Sequence, residues 1–141
     1  MEKIVMVDNV PVVDAWSALK TDPQARLVDV RTDVEWVFIG IPDLSSVQQR
    51  PALISWQVYP QMQVNPRFVD ELRQAGLTPE HHIYFLCRSG ARSMAAAIAA
   101  KEAGYEHVYN IAEGFEGPVD ANGHRGVAAG WKAENLPWQQ R

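Results

Sequence analysis

The chain has 141 residues and a formal net charge of −4, with 47% hydrophobic and 21% charged side chains, which excludes disordered and collagen-like classes. This length fits one domain, 1–141, large enough to bury about two thirds of the surface its unfolded form exposes. An acidic balance without a basic run argues against nucleic acid as the main partner, because phosphate binding needs clustered Lys and Arg.

Ile4 to Val7 is a short apolar run that predicts a first strand. It is too short for a signal peptide or a membrane span, so a cytoplasmic protein without a membrane partner is expected. Asp8, Asn9 and Pro11 supply start signals for a helix carrying Val12, Val13, Trp16 and Leu19 along one side, and Thr21, Asp22 and Pro23 end it. Leu27 to Val30 predicts a second strand that finishes in Asp29, Val30 and Arg31. Charge then stands at a strand's C-terminal end, the edge where ligands bind in open parallel sheets. Thr32, Asp33 and Glu35 ahead of Trp36, Val37 and Phe38 predict one capped helical turn before Gly40, Ile41 and Pro42 force the chain round. Ser45 to Pro51 reads as a loop and Ala52 to Trp56 as a third strand. Asn65 and Pro66 start a helix with Phe68, Val69, Leu72 and Ala75 at near-helical spacing, and Gly76 stops it.

Ile83 to Leu86 is an uncharged β-branched and aromatic run, the pattern of a strand buried on both faces of a parallel sheet. The only cysteine, Cys87, follows it. Arg88, Ser89, Gly90, Ala91, Arg92 and Ser93 then make a polar turn, and the alanine-rich Met94 to Lys101 is a strong helix former closed by Gly104. Strand, tight loop and helix N-terminus in that order leave backbone N–H groups without intrahelical partners, which makes an anion cradle. Gly90 can take the positive φ that curls such a loop. With Arg88 and Arg92 beside it, Cys87 sits where a thiolate is favoured, and it is the candidate nucleophile. An inert core cysteine would need no flanking arginines, glycine and serines.

His107 to Ile111 predicts a fifth strand, with Glu113, Gly114 and Phe115 leaving its end. Pro118 to Gly130 reads as a surface loop, with His124 either over the pocket or facing solvent, and Gly130 to Glu134 as a last short helix with Trp131 turned inward. No metal and no cofactor is expected. His81, His82, His107 and His124 show no paired ligand spacing with cysteine or carboxylate, and the first two read as solvated turn residues. A single cysteine forms no internal disulfide and suits a reducing compartment.

Three stretches resemble the rhodanese family of sulfurtransferases in its single-domain form: Leu27 to Arg31 (LVDVR) followed by Glu35, Cys87 to Ser93 (CRSGARS), and Gly104 to Gly117 with Trp131 and Leu136-Pro137-Trp138 after it. The resemblance spans essentially the whole chain, and the loop is its specific part. It implies an α/β fold, a five-stranded mainly parallel sheet with helices on both faces and the Cys87 strand near the centre. It also implies a Cys87 thiolate that takes a sulfane sulfur from thiosulfate or a persulfide or polysulfide donor and passes it to a thiol or cyanide acceptor. The partners would be a small sulfur-containing anion and a thiol acceptor, either a small molecule or a protein. On that pattern the amides of Arg88 to Ser93 hold the anion and the persulfide, and Arg88 contacts the substrate. Arg92 has two readings, loop-supporting salt bridge or catalytic group. Ser93 reads as a helix N-cap, and Asp29 with Arg31 as a structural pair, joined by Glu35, under the loop. Gly40-Ile41-Pro42-Asp43 departs from the family's Gly-His-Ile-Pro-Gly. Trp56, Tyr59 and Met62 are candidates for an apolar lip there, with core packing the alternative for Trp56.

Two rival functions use the same elements. A cysteine-type phosphatase or arsenate reductase places five residues between cysteine and arginine, whereas four separate Cys87 from Arg92 here. The second is a non-catalytic binding or redox-sensing module: Cys87 with both arginines argues against an inert copy, whereas a redox sensor also has a reactive thiol, so turnover with a sulfur donor and acceptor separates it from an enzyme.

Overall fold

The computed structural model describes residues 5–140. In chain order the first elements are β1 (Asp8–Val10), α1 (Val12–Thr21), β2 (Ala25–Asp29), α2 (Asp33–Ile39), β3 (Ile41–Pro42), β4 (Ala52–Leu53), β5 (Gln57–Val58) and β6 (Gln63–Val64). Then follow α3 (Phe68–Gln74), β7 (His82–Leu86), α4 (Ala91–Glu102), β8 (Val108–Ile111) and β9 (Trp138–Gln139). Five strands form one sheet in the order β1-β8-β7-β2-β4, and every ladder in it is parallel. This is an α/β fold with the strand that precedes Cys87 in the middle.

Parallel strands need crossover connections, and the helices of those crossovers cover both faces of the sheet. The side chains divide accordingly. Val28, Ile83 and Phe85 pack with Phe68 and Leu72 of α3 and with Ala96, Ala97 and Ala100 of α4. Leu27, Leu86 and Ile111 turn the other way, against Val12, Ala15 and Leu19 of α1 and against Phe115 and Trp131. This two-sided burial is why β7 is apolar without alternation. A fully buried side chain such as Phe85 contributes about 1.5–3 kcal/mol from burial alone.

Several boundaries differ from the sequence reading. The edge strand is Asp8–Val10, not Ile4 to Val7: the ladder to β8 starts at Asp8 opposite Tyr109, and Asn110 Nδ2 donates to Asn9 Oδ1 at 2.9 Å. Val5 to Val7 precede that strand, and Ile4 lies outside the described residues. α1 follows Pro11 with no local side-chain cap, and its Val12 N–H is taken by Glu113 Oε1, 3.0 Å away and 101 residues on. β2 runs from Ala25 to Asp29, and Val30 N–H still donates to Leu86 O. β4 is short, although Ile54 and Trp56 continue its bonding to Asp29 O and Val30 O.

α2 is seven residues rather than one turn, started by a Thr32 and Glu35 capping box. The antiparallel pairs of β3 with β9 and of β5 with β6 were not anticipated. Residues 130–134 form turns instead of a helix, yet Trp131 is fully buried and its Nε1 donates to Pro137 O at 2.7 Å. Among the described residues no helix is long and apolar enough to cross a membrane.

Candidate active site

Cys87 leaves β7 at the C-terminal edge of the sheet and is 1% exposed. The chain then reverses at Gly90, whose φ of +107° suits glycine, and a Cβ there would collide with Ala112 O. That turn aims Gly90 N–H at Cys87 Sγ, 3.1 Å away, and makes Gly90 the residue that opens α4. The loop's floor is the segment after β8. Phe115 N–H donates to Cys87 O at 2.8 Å, and the N–H groups of Glu116 and Gly117 donate to Arg88 O at 3.1 Å.

Ser93 is not the N-cap; it lies in the first turn of α4, because the helix starts three residues before Met94. Its hydroxyl is 3.2 Å from Cys87 Sγ, 3.2 Å from Gly90 O and 2.5 Å from Asn110 Oδ1. Asn110 is itself fixed, since its Nδ2 donates to Asn9 Oδ1 and to Gly90 O at 3.1 Å. A carbonyl only accepts, so the amide nitrogen must face Gly90 and the amide oxygen must face Ser93. Among the loop amides of the described residues, that of Gly90 is the one bonded to Sγ. The N–H groups of Arg88, Ser89, Ala91 and Arg92 have no acceptor among the described residues.

A cavity of about 350 Å³ opens over the sulfur. Arg88, Ser89, Ala91 and Arg92 line it beside Cys87, Glu35 enters from α2, and Gln57 and Met62 come from the β5–β6 hairpin. Arg88 is exposed and has no ion-pair partner among the described residues. Arg92 is paired with Glu35 through two hydrogen bonds: its Nη1 and Nη2 meet Glu35 Oε1 and Oε2 at 2.6 and 2.9 Å. Burial pushes the Glu35 carboxyl up, but the hydrogen bonds and charge of Arg92, with the Thr32 N–H, outweigh it and hold the carboxyl below its ordinary value. The same bond holds the Arg92 guanidinium above its usual range.

The loop residues read from the sequence therefore come together, with Gly90 and Ser93 touching the sulfur. Asp29 and Arg31 do not line the cavity. They form a fully buried pair, Nη2 to Oδ2 at 2.7 Å, with Arg31 also donating to Gly40 O and lying 4.3 Å over the Phe115 ring. Glu35 does not join that pair; the capping box turns it toward Arg92 instead. Met62 lines the cavity, Tyr59 is exposed elsewhere, and Trp56 packs edge-on against Phe68 at 5.2 Å. His124 is exposed. His82 opens β7 and meets Asp22 at 2.6 Å, so it is no free turn residue. Among the described residues no group of three or more His, Cys, Asp or Glu is placed to hold a metal. Asn110 and Gln57 were missed. For Asn110 a signal existed: a polar residue inside the apolar run VYNI is a buried polar group in need of partners.

Comparison with known proteins agrees with this architecture. A crystal structure of Rv0390 from M. tuberculosis superposes with a TM-score of 0.87 at 43% identity, over 96% of this chain and 98% of that one. The solution structure of the polysulfide-sulfur transferase homodimer from Wolinella succinogenes gives a TM-score of 0.65 at 23% identity, over 96% of this chain and 80% of that one, a likeness of fold. An uncharacterized protein of Rickettsia conorii is 39% identical over 134 residues, 94% of this chain and 98% of its own length. Rhodanese-like domain-containing protein 4 of Arabidopsis thaliana is 25% identical over 126 residues, 89% of this chain and 24% of its own. The fold is rhodanese-like, and a family model described as the STR4 middle domain matches residues 8–141. The chain belongs to the STR4 middle domain family.

Proposed function

We propose that this protein is a rhodanese-type sulfurtransferase that carries a sulfane sulfur on Cys87. One observation carries the reading: Cys87 Sγ stands at the base of the cavity, bonded by Gly90 N–H and 3.2 Å from the Ser93 hydroxyl. Donors already in place for a negative sulfur need no rearrangement when charge forms there.

In the first step the Cys87 thiolate attacks the outer sulfur of the donor. A Cys87 S–S bond forms, the donor's S–S bond breaks, and its electron pair leaves with the departing thiolate or sulfite. In the second step an acceptor thiolate or cyanide attacks the outer sulfur of the Cys87 persulfide and regenerates the Cys87 thiolate. The covalent intermediate divides one transfer into two displacements. Gly90 N–H and Ser93 stabilise the anion at Sγ, and the unpartnered amides of Arg88, Ser89, Ala91 and Arg92 are available to the added sulfur. Arg88 attracts the anionic donor at the mouth, while Arg92 supports the loop through Glu35. The acceptor is a thiol of a small molecule or a protein, and the reducing cytoplasm is the location that suits the chemistry.

Intact-mass measurement after exposure to thiosulfate or polysulfide tests this. Gain of one sulfur atom, removed again by a thiol, is expected. Phosphate or arsenate turnover with no sulfur uptake would replace the reading with the phosphatase or arsenate reductase one. No sulfur uptake and no turnover of either kind would replace it with a binding module.

A further inference from the structure

Building on the sulfurtransferase reading, we infer that Glu35 is a specificity-determining residue: by pairing with Arg92 it leaves the cavity one unpartnered cation and favours monoanionic organic persulfides over dianionic thiosulfate. Among the described residues three charged side chains line the cavity, Glu35, Arg88 and Arg92. Arg92 is engaged at both ends of its guanidinium, with Nη1 and Nη2 each on a different Glu35 oxygen. The carboxylate cannot swing away cheaply, because Oε1 also accepts from Thr32 N–H at 3.2 Å and from the Thr32 hydroxyl at 3.1 Å. The pair is largely buried, at 17% and 19% exposure, so solvent screens it poorly. Arg88 remains as the cation available to a substrate, and it stands in solvent.

A donor with two negative charges therefore meets one accessible cation and, in the same cavity, a carboxylate. A persulfide with one charge meets a matching site. Shape points the same way. Cys87 is 1% exposed and lines the base, so a slender terminal sulfur suits the approach, while the Met62 and Ala91 side chains offer aliphatic surface to an organic body. The transfer balances without an external oxidant. The bond from Sγ to the terminal sulfur of RSS⁻ forms as the R–S to S bond breaks, and the broken pair leaves on RS⁻, which takes up a proton.

The test uses the full chain with two donors at equal concentration, thiosulfate and the persulfide of N-acetylcysteine amide, whose body is neutral. The initial gain of one sulfur is followed by intact mass. The wild type should load from the persulfide at least about ten times faster. Glu35→Gln should raise the thiosulfate rate relative to the persulfide rate by about five-fold or more, because Arg92 is released. The double variant Glu35→Gln with Arg92→Gln has the wild-type net charge and should return the ratio toward the wild type, which a merely structural role for the pair would not do. Thermal unfolding checks that each variant is folded. Equal loading by the wild type from both donors would overturn the inference even if no variant folds. An unchanged ratio in folded Glu35→Gln, or no return in the folded double variant, would overturn it as well. No loading of the wild type from either donor would instead overturn the sulfurtransferase reading itself.

Discussion

Ser93 and Asn110 are joined by a 2.5 Å hydrogen bond, and the Ser93 oxygen is at the same time 3.2 Å from Cys87 Sγ. A hydroxyl has one proton and two acceptor sites. With the proton on Asn110, Ser93 presents lone pairs to a thiol; with the sulfur ionised, the same proton turns to it. Ser93→Ala should therefore remove one bond to a charged sulfur, about 1.5–3 kcal/mol, and slow sulfur loading by roughly ten- to a hundred-fold. It also leaves the buried Asn110 oxygen unpaired, at a cost of about 1–3 kcal/mol that a urea midpoint should register. Ser93→Thr, which keeps the hydroxyl, should recover most of the rate.

Gly90 holds the loop in a shape other residues resist. Gly90→Ala must place a methyl against Ala112 O at a φ of +107°. The backbone strain alone costs about 1–3 kcal/mol, and the N–H that reaches Sγ is displaced. A lowered unfolding midpoint together with lost sulfur loading is the expected result; a midpoint equal to that of the wild type would contradict it.

The buried pair of Asp29 and Arg31 is asymmetric in its risk. Asp29→Ala strands a fully buried guanidinium whose Nη1 already has no partner among the described residues. A loss of about 3–5 kcal/mol is expected in chemical denaturation. Neither residue lines the cavity, so any folded fraction should still load sulfur.

The parts legible in the sequence were those fixed by neighbours along the chain. The uncharged run Ile83 to Leu86, the glycine-containing loop and the alanine-rich helix announce strand, cradle and helix within twenty-two residues. Other features depend on contacts far apart in sequence. The edge strand moved to Asp8–Val10 because β8 supplies its ladder and Asn110 its side-chain bond to Asn9. Glu113 closes the start of α1 from 101 residues away. β3 and β9 are two residues each, too short for a period to register, and exist only as a pair. Ser93 was misread as a cap because the helix starts at Ala91, which propensity alone does not fix.

Acid should weaken the fold partly through Glu35. Its carboxyl is held below the ordinary value of 4.5 despite burial, chiefly by Arg92. A depressed folded value means the contribution is complete above the unfolded value and is lost as pH falls through the folded one. Urea midpoints measured from neutral pH down through pH 4.5 and below should fall, and Glu35→Gln should show a shallower fall over that acid range. An identical acid slope in the two proteins would contradict the assignment.

The most direct measurement is the intact mass of the wild type and of Cys87→Ser after exposure to a sulfane donor and then to a thiol. The serine hydroxyl can keep the contacts of Gly90 and Ser93, so both proteins should unfold within a few degrees of each other. The wild type should gain one sulfur and give it to the thiol, and the serine variant should gain none. Sulfur uptake by the variant, or none by the folded wild type, would contradict a persulfide on Cys87.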